Sequence, residues 1–556
     1  MLLRRSLLVF CLFGATCAPS SKAPFDLVFF GGTVIDGSGS PRVRADVGVR
    51  GDRIAEVGDL ARAAAKRRID ATGLVIAPGF IDMLGWSEYR VLVDPRAASK
   101  ITQGITTELT GEGTAIAPTN ARMIAEDQST WKYYGVTPTW TTLRGYWAAF
   151  ERARPTINLG TFVGAGGVRD LVIGREDRPP TAAELAQMEA AVAEAMEDGA
   201  FGLSSSLIYV PDSFASAEEL IALARVAARF GGRYITHQRS EDDELDASLT
   251  EVFRIAREAQ IPAEIYHLKT AGRGNWGRMP EVLARIEDAR AEGLDVTANH
   301  YPWSASSNGL DASLPAWVRE GSRDALVARL RDPAQRARIR AELEASSEGW
   351  VGGDIAERIL ITSVLEPTGA RWQGRRLAEI ARDEHKDAID ALMDIVLADR
   401  GNTGRVTFSM SEDDVRAALV HPLVTLCTDS GASAEDGILS QKLGHPRGWG
   451  STTRILGHYV REEQLLTLEA AVQRMTSVPA ERMGLVDRGR VQPGMLADLA
   501  VFDPKTVSSK ATYEDPRHYS TGVPYVAVNG ALVVDGGQIT DARPGRPLHG
   551  PGWRSK

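Results

Sequence analysis

Short apolar or β-branched runs alternate with amphipathic stretches through most of the chain. The runs have the length of buried strands, about four to eight residues, and the stretches between them show helical periodicity. This alternation is typical of a parallel sheet whose strands are connected by helices. We predict strands over Val75–Asp82, Ile105–Thr110, Leu159–Gly164, Phe201–Ser205, Tyr234–His237, Ala263–His267, Asp295–Asn299 and Leu423–Thr428, and helices over Ala182–Asp198, Ala217–Phe230 and Pro280–Glu292. Eight such strands predict an α/β fold, a closed (β/α)8 TIM barrel.

Both ends of the chain carry further β-rich segments with glycine turns, around residues 26–57 and 497–536. Neither segment is large enough to bury a core alone. We therefore predict that residues 23–77 and 485–546 pair into one small β-sandwich domain, and that the barrel covers residues 78–484. A long helix-rich segment at about 304–405 predicts an insertion, which either covers the active site or elaborates the surface.

The N-terminus has the pattern of an export signal. Arg4 and Arg5 precede an apolar run over residues 6–13, and small residues follow it. This pattern predicts a signal peptide over residues 1–22, and the apolar run is too short to span a bilayer. We expect an exported protein, periplasmic or associated with the cell envelope. Cys17 offers an alternative, as the lipid-modified cysteine of a lipoprotein.

The charge composition of the chain indicates which kind of ligand the protein binds. The 556 residues carry a net charge of −9, from 73 acidic and 64 basic residues spread without blocks. Nucleic-acid binding usually requires a concentrated basic surface, so we expect a small-molecule substrate and no nucleic acid. Only three cysteines are present, and two of them, Cys11 and Cys17, lie in the predicted signal. No disulfide framework is expected, and Cys427 is interpreted as a packed core residue.

Polar residues stand at the ends of several predicted strands, where a TIM barrel places its reactive groups. His237 and His267 are 30 residues apart, about one strand–helix unit, so they should meet at the barrel mouth. Glu112 follows the second strand and Asp429 follows the eighth. Two histidines and a carboxylate can hold a divalent metal ion and leave a position open for water. Zinc lowers the pKa of such a water to about 7, and Asp429 could take its proton.

A lone histidine after a strand is most often a hydrogen-bonded structural residue. The interpretation as a metal site therefore rests on two histidines and an acid occurring together at equivalent strand ends. Glu108, four residues before Glu112, is an alternative candidate for the carboxylate ligand. Glu112 could also be a turn residue with no role in metal binding.

Two motifs frame the predicted barrel, Ala77–Asp82 (APGFID) and Gly489–Asp503 (GRVQPGMLADLAVFD). With the strand-end histidines and Asp429, they resemble the amidohydrolase superfamily, and within it the D-aminoacylase (N-acyl-D-amino-acid deacylase) family. The resemblance covers nearly the whole mature chain and includes the segments Phe201–Tyr209, Thr236–Glu241, Asn275–Gly277, Tyr301–Pro302, His445–Arg447 and Thr476–Ala480.

The chain departs from the family pattern at its first metal site. The superfamily has a His-x-His pair after its GFID motif, and the corresponding residues here are Leu84 and Trp86. The family also has a cysteine ligand where this chain has Glu112. The resemblance thus implies one metal ion instead of two, held by Glu112, His237 and His267, with zinc preferred and manganese or similar ions admitted by the harder carboxylate. Trp86 either fills the vacated volume or forms an apolar wall for an acyl chain.

The resemblance also implies how a substrate carboxylate would be held. Basic and hydroxyl groups bind it in the family, and the candidates here are Lys269, Arg447, Tyr301, Tyr209, Ser307 and Arg239. A guanidinium can bind a carboxylate through two parallel hydrogen bonds, which favours Arg447. Any one of these side chains, taken alone, could instead be an ordinary surface group without a role in binding.

The predicted function is metal-dependent hydrolysis of a linear amide, most simply deacylation of an N-acyl D-amino acid, through hydroxide held by the metal with Asp429 as base. This makes the protein an amidohydrolase acting on carbon–nitrogen bonds other than peptide bonds. The alternatives are a cyclic-imide, dipeptide or lactone hydrolase on the same barrel, and a metal-free barrel that binds a ligand without catalysis.

Overall fold

The computed structural model describes residues 24–345 and 355–555. The predicted signal peptide and Cys17 lie outside these residues. Among the helices in the described ranges, none combines the length and the apolar composition that a membrane crossing requires.

Parallel strands form the barrel that the sequence predicts, and the (β/α)8 fold is confirmed. Neighbouring strands pair in register around the ring, for example Ser206 with His237 and Thr236 with Ile265. The ring closes between its first and last strands, where the backbone N–H of Asp429 donates to the Leu84 carbonyl over 2.8 Å. The barrel strands are Phe80–Asp82, Ile105–Thr110, Asn158–Thr161 with Val163–Gly164, Gly202–Ser206, Arg233–His237, Ala263–Ile265, Val296–His300 and Val424–Leu426.

Two of the predicted strands are each divided in the structure. The prediction over Val75–Asp82 becomes Val75–Pro78, which pairs with the small domain, and Phe80–Asp82, which begins the barrel. A side chain at the intervening Gly79 would lie 2.2 Å from Thr106 Oγ1, so only glycine allows the two layers to approach here. The third barrel strand is likewise interrupted at residue 162, and its two halves pair with opposite neighbours.

Helices connect the strands and surround the barrel. The capping box at Thr181 and Glu184 shows why one of the longest begins where it does, since two otherwise unpaired backbone groups are satisfied there. Outside the insertion the helices are Arg90–Val93, Ala98–Ile101, Ala121–Glu126, Gln128–Tyr134, Leu143–Ala153, Ala165–Val172, Ala182–Glu197, Ala217–Arg229, Leu245–Ala259, Met279–Ala291, Glu412–Val420, Arg447–Arg454, the π-helical Ile455–Glu462, Leu468–Met475 and Ser477–Met483, with 3₁₀ turns at Asp212–Phe214, Arg273–Asn275 and Ile438–Ser440.

Two sheets from the chain ends pack face to face in a β-sandwich. Phe29 from one sheet and Ile76 and Leu499 from the other share an apolar core. The four-stranded sheet has the order Arg53–Gly58, Asp46–Arg50, Phe25–Phe30, Ala65–Asp70; the seven-stranded sheet has the order Gln538–Ile539, Ala531–Asp535, Tyr525–Val528, Leu499–Phe502, Val75–Pro78, Thr33–Val34, Val43–Arg44.

The segment between the last two barrel strands folds around its own apolar core, which includes Leu310, Ile361 and Leu392. Its three-stranded antiparallel sheet has the order Ser306–Gly309, Gly404–Thr407, Ile359–Ser363. Its helices are Ala316–Arg319, Arg323–Arg331, Pro333–Ala345, Ile355–Arg358, Leu377–Asp383 and Ala388–Ala398, with 3₁₀ turns at Leu310–Ser313 and Pro367–Trp372. This sheet lies over the barrel mouth, because residues 306–309, 362–363 and 404 line the same cavity as the strand-end histidines.

Candidate metal centre

His237 and His267 meet at the mouth of the barrel. His237 ends its strand, and His267 lies two residues beyond the end of the neighbouring strand. Their ring centroids are 4.4 Å apart and both side chains are buried. His267 has a backbone φ of 34°, in the left-handed region that residues other than glycine rarely adopt. Such a conformation costs about 1–3 kcal/mol and is typical of functional sites.

Glu112 completes a three-residue cluster with these histidines. Its Oε1 atom lies 2.9 Å from His237 Nδ1 and 3.5 Å from His267 Nε2, and Ser206 Oγ donates to it over 2.9 Å. The three candidate ligand atoms lie within 4.8 Å of one another. Glu108, the alternative in sequence, points elsewhere: Ser87 donates to its carboxylate from both its backbone N–H and its hydroxyl. The structure therefore brings Glu112, and not Glu108, to the histidines.

The cluster fits a divalent metal ion. Burial alone would raise the pKa of Glu112, but hydrogen bonds from His237 and His267 hold it well below its usual value. Burial and Lys269 would lower the pKa of His267, but Asp429, Glu241 and Glu112 together raise it to about 9. The carboxylates of this site therefore favour a bound positive charge. Two imidazole nitrogens and a carboxylate oxygen are the donor set that zinc and manganese accept.

Glu241 supports both histidines and was not among the predicted site residues. Its Oε1 atom lies 3.1 Å from His267 Nδ1, and its Oε2 atom lies 3.5 Å from His237 Nε2. Lys269 Nζ donates to the same carboxylate over 2.8 Å. A carboxylate on the far nitrogen of a ligating histidine fixes its tautomer and ring orientation. The sequence held two signals for Glu241, its spacing of four residues from His237 and its place in the family-like segment Thr236–Glu241.

Asp429 lies across the cavity from these residues. It follows the last barrel strand with a φ of 46°, which directs its side chain into the mouth. The Trp86 indole N–H donates to Asp429 Oδ1 over 3.1 Å, and Arg447 Nη1 lies 2.7 Å from Oδ2. Asp429 is thus an oriented carboxylate facing the histidine cluster.

The positions of the family's His-x-His pair carry no metal ligand. Leu84 is buried, and the Trp86 indole donates to Asp429, so neither residue offers a lone pair. Between them, a side chain at Gly85 would lie 1.9 Å from Glu108 Oε1, which shows that the Glu108 carboxylate packs against this turn.

A buried ammonium group ties the strand ends together below this turn. Lys100 Nζ lies 2.7 Å from Asp82 Oδ2 and 3.0 Å from Glu108 Oε2, and it donates to Thr428 Oγ1 and to the Ser430 carbonyl over 2.8 and 2.6 Å. All three charged side chains are fully buried. Lys100 therefore links the first two strands to the residues on either side of Asp429. Sequence reasoning missed it, because a lysine in a short helix gives no sign of such burial.

The substrate-binding candidates separate into two groups. Lys269, Arg447, Tyr209 and Ser307 line a cavity of about 480 Å³ together with the histidine cluster and Asp429. Tyr301 and Arg239 do not line it.

Tyr301 and Arg239 instead support residues behind the cavity wall. Tyr301 is buried with its hydroxyl directed at Met410 Sδ, 3.6 Å away, and its ring lies under the Arg447 guanidinium, 4.6 Å from the ring centroid. Arg239 pairs with Glu251 and donates to two backbone carbonyls.

Comparison with known proteins identifies relatives along almost the entire chain. Residues 67–534 match the model of the amidohydrolase family. The chain is 38% identical to an N-acyl-D-glutamate deacylase of Alcaligenes xylosoxydans xylosoxydans, over 94% of this chain and 96% of that protein. A D-aminoacylase structure, from work on one-metal activation and second-metal attenuation of its binuclear centre, is 36% identical with a TM-score of 0.79, covering 95% of this chain and all of the other. The N-acyl-D-glutamate deacylase of Bordetella bronchiseptica, complexed with zinc and a phosphonate inhibitor, is 35% identical with a TM-score of 0.78 at the same coverage.

Replacing Lys100 by methionine should destabilise the fold strongly. The change leaves Asp82 and Glu108 buried without their cation, which costs about 3–5 kcal/mol in comparable buried pairs. Urea unfolding should show this loss, and Glu108→Gln added to Lys100→Met should restore part of it. Lys505→Met, at an exposed lysine, is the control. A midpoint for Lys100→Met equal to that of the control would contradict the structural role of the ammonium.

Removing the Glu112 charge should weaken metal binding without unfolding the protein. The isosteric Glu112→Gln keeps the volume and the Ser206 contact but loses the anionic ligand, so zinc affinity should fall by about 10- to 100-fold or more. Competition with a chromophoric chelator measures this affinity. Glu108→Gln is the matched control and should retain zinc affinity, since Glu108 does not reach the histidines. Equal loss in both variants would reject the assignment.

Proposed function

Because the chain belongs to the amidohydrolase family, we propose that it is a metal-dependent deacylase of N-acyl amino acids, of the D-aminoacylase type. The predicted family and the predicted enzyme class, an amidohydrolase acting on carbon–nitrogen bonds other than peptide bonds, are confirmed. The observation that carries the proposal is the convergence of Glu112, His237 and His267 opposite Asp429 in one cavity.

Glu112, His237 and His267 would hold one divalent metal ion, for which the zinc complex of the Bordetella relative gives independent support. A bound ion of this kind polarises a carbonyl and lowers the pKa of a coordinated water towards neutrality. The protein's own contribution is to keep the three ligands rigid. Glu241 does this at His267, with a weaker contact to His237, and Ser206 does it at Glu112.

Asp429 moves the proton in this mechanism. It takes a proton from the attacking water as the new C–O bond forms at the amide carbon. It then delivers that proton to the amine nitrogen as the C–N bond breaks, so the carboxylate is regenerated. The indole N–H of Trp86 and the guanidinium of Arg447 orient its two oxygens, so the carboxylate needs little rearrangement before reacting.

Arg447 is the best placed group for the carboxylate of the substrate. It is buried beside Asp429, and its Nη2 donates to the Ser307 carbonyl over 3.1 Å. Its Nε atom has no hydrogen-bond partner among the described residues. Both cations pair with a carboxylate, Arg447 with Asp429 and Lys269 with Glu241. Lys269 Nζ also lines the cavity, but it already contacts both Glu241 oxygens and His267 Nδ1, whereas Arg447 keeps its Nε donor. We assign carboxylate binding to Arg447 and a supporting role to Lys269.

We also propose that the protein is exported, on the basis of the basic and apolar pattern of residues 4–13. Mass spectrometry of the mature N-terminus in fractionated cells tests this, since cleavage near residue 22 and a lipidated Cys17 give different masses. An uncleaved chain in the cytoplasm would reject export.

The substrate class is tested by a panel of N-acyl-D-amino acids, N-acyl-L-amino acids, dipeptides, cyclic imides and lactones. We expect zinc-dependent release of the free amino acid from the N-acyl-D-amino acids. Turnover confined to imides, dipeptides or lactones would assign another hydrolase activity to the barrel. A purified protein without metal, inactive after zinc addition, would indicate a binding protein without catalysis.

Asp429→Asn should reduce kcat by about 10²- to 10⁴-fold, because the amide cannot accept the proton. Zinc content should stay at the wild-type level, since Asp429 is not among the three ligands. Stopped-flow or coupled assays, with elemental analysis of the same samples, measure both quantities. An active Asp429→Asn protein would show that another group is the base.

Zinc titration should reveal one activating equivalent and no attenuation by excess metal. The reason is that Leu84 and Trp86 supply no second set of ligands. Activity measured from zero to several equivalents of zinc tests this, with calorimetry to count the sites. A second tight equivalent that lowers activity would contradict the single-metal site.

A further inference from the structure

A second cavity lies next to the active-site cavity, between the insertion and the barrel. Its volume is about 230 Å³, against about 480 Å³ at the barrel mouth. The insertion supplies Asp311, Arg319 and Arg323 to its lining, and the barrel supplies Arg175 and Tyr209. Tyr209 lines both cavities, so the two spaces adjoin at this side chain.

Arg319 is the buried charge of this second cavity. Only 9% of its surface is exposed, and its Nε atom is buried without a hydrogen-bond partner among the described residues. Its Nη1 and Nη2 atoms both lie 3.4 Å from the Ile208 carbonyl oxygen, which is long for a hydrogen bond of this kind. No ion pair joins Arg319 to a carboxylate in the described ranges. The guanidinium therefore keeps donor capacity that the described residues do not use.

Arg175 brings a second unpaired cation to the same cavity. Its Nε atom is also buried without a partner, and its guanidinium forms no ion pair with a described residue. The backbone holds it beside Arg319, because the N–H of Gly321 donates to the Arg175 carbonyl over 3.0 Å. Burial and the charge of Arg175 lower the pKa of Arg319, against the opposing effects of Asp311 and Tyr209. The two guanidinium groups are thus close enough to repel each other.

The other charged side chains leave this positive charge uncompensated. Asp311 is the one carboxylate among the described residues that line the cavity, and it forms no ion pair with Arg319 or Arg175. Arg323 adds a third cation, and its partner Asp127 does not line the cavity. The Arg323 side chain is 36% exposed, so solvent reaches the rim of the cavity.

A helix N-terminus adds to the positive potential. The nine-residue helix Arg323–Arg331 begins at the cavity, where Gly321 and Ser322 belong to the lining. The Ser322 hydroxyl accepts a hydrogen bond from the backbone N–H of Ala325, which fixes where the helix starts. The first turn of a helix carries a partial positive charge, which favours anions placed next to it.

We propose that this second cavity binds a small oxyanion, held chiefly by Arg319. A buried guanidinium without an anion is costly, and a ligand oxyanion would offset that cost through charge-assisted hydrogen bonds to its planar fork of donors. Arg175 and the helix N-terminus would add attraction from the surrounding wall. The ligand class comprises inorganic phosphate and sulfate, and the small carboxylates that amide hydrolysis releases. The inference goes beyond the deacylase activity and does not depend on it.

The position of the cavity gives such an anion a structural consequence. Arg319 belongs to the insertion, whereas Ile208 and Tyr209 follow a barrel strand. The Tyr209 ring lies 5.4 Å from the His237 ring, between centroids. A bound oxyanion would therefore link the insertion to a residue that contacts the histidine cluster.

Calorimetry of the zinc-loaded protein with sulfate at constant ionic strength tests the site. We expect one bound equivalent, and Arg319→Gln should weaken it by about tenfold or more, because a charged donor is lost. Arg175→Gln removes a half-buried, unpaired cation and should also weaken sulfate binding, by a smaller factor. Arg331→Gln, at an exposed arginine of the same insertion, is the matched control and should bind sulfate as the wild type does.

Arg447→Gln separates this site from the active site, where a metal ion and a guanidinium would also attract anions. Sulfate binding should survive this change. Binding that is lost in Arg447→Gln but kept in Arg319→Gln and Arg175→Gln would place the anion in the active site and overturn the proposal. Where Arg319→Gln does not fold, Arg175→Gln decides, since unchanged sulfate affinity in that variant rejects the site.

Phosphate and acetate, titrated in the same way, identify the source of the ligand. Tighter binding of phosphate or sulfate assigns the site to a tetrahedral inorganic anion, and tighter binding of acetate assigns it to a carboxylate. If none of the three anions binds, the proposal is wrong. Thermal melts give an independent readout, because sulfate should raise the Tm of the wild type more than that of Arg319→Gln. General stabilisation by sulfate acts on both proteins, so equal Tm shifts would count against the site.

Discussion

The active site depends on a buried carboxylate held between two imidazoles. The burial of the Glu112 carboxylate is compensated by His237 and His267, which lie 2.9 and 3.5 Å from it, and by the Ser206 hydroxyl, and a divalent ion would compensate its charge more fully. The barrel makes this possible, since adjacent parallel strands bring the side chains at their ends to one edge. Glu241 then adds a second negative group behind both rings, which Lys269 neutralises in turn.

A network of buried side chains holds the strand ends around Asp429. The ammonium group of Lys100 joins Asp82, Glu108 and the backbone beside Asp429. The indole of Trp86 and the guanidinium of Arg447 occupy the two oxygens of Asp429. Two protein donors thus orient the proposed base.

The positions where strands end can be predicted from the sequence, but the partners that each side chain contacts cannot. The eight strand positions follow from apolar runs, and the candidate ligands Glu112, His237 and His267 follow from the polar residues that end them.

The division of Val75–Asp82 depends on the contact of Gly79 with Thr106, which no local pattern reveals. The hydrogen bond from Trp86 to Asp429 joins residues 343 apart, and the burial of Lys100 depends on three strands at once. Arg239 sits in the family-like segment yet binds Glu251, because the side chains of a loop can turn to either side of it.

Anomalous diffraction at the zinc edge, from crystals grown with zinc, would show directly where the metal ion binds and how many sites exist. The single-metal assignment predicts one strong peak in contact with Glu112, His237 and His267, with Asp429 facing it and no peak beside Leu84 or Trp86. A second peak of similar height against Asp429, or zinc bound away from the two histidines, would contradict it.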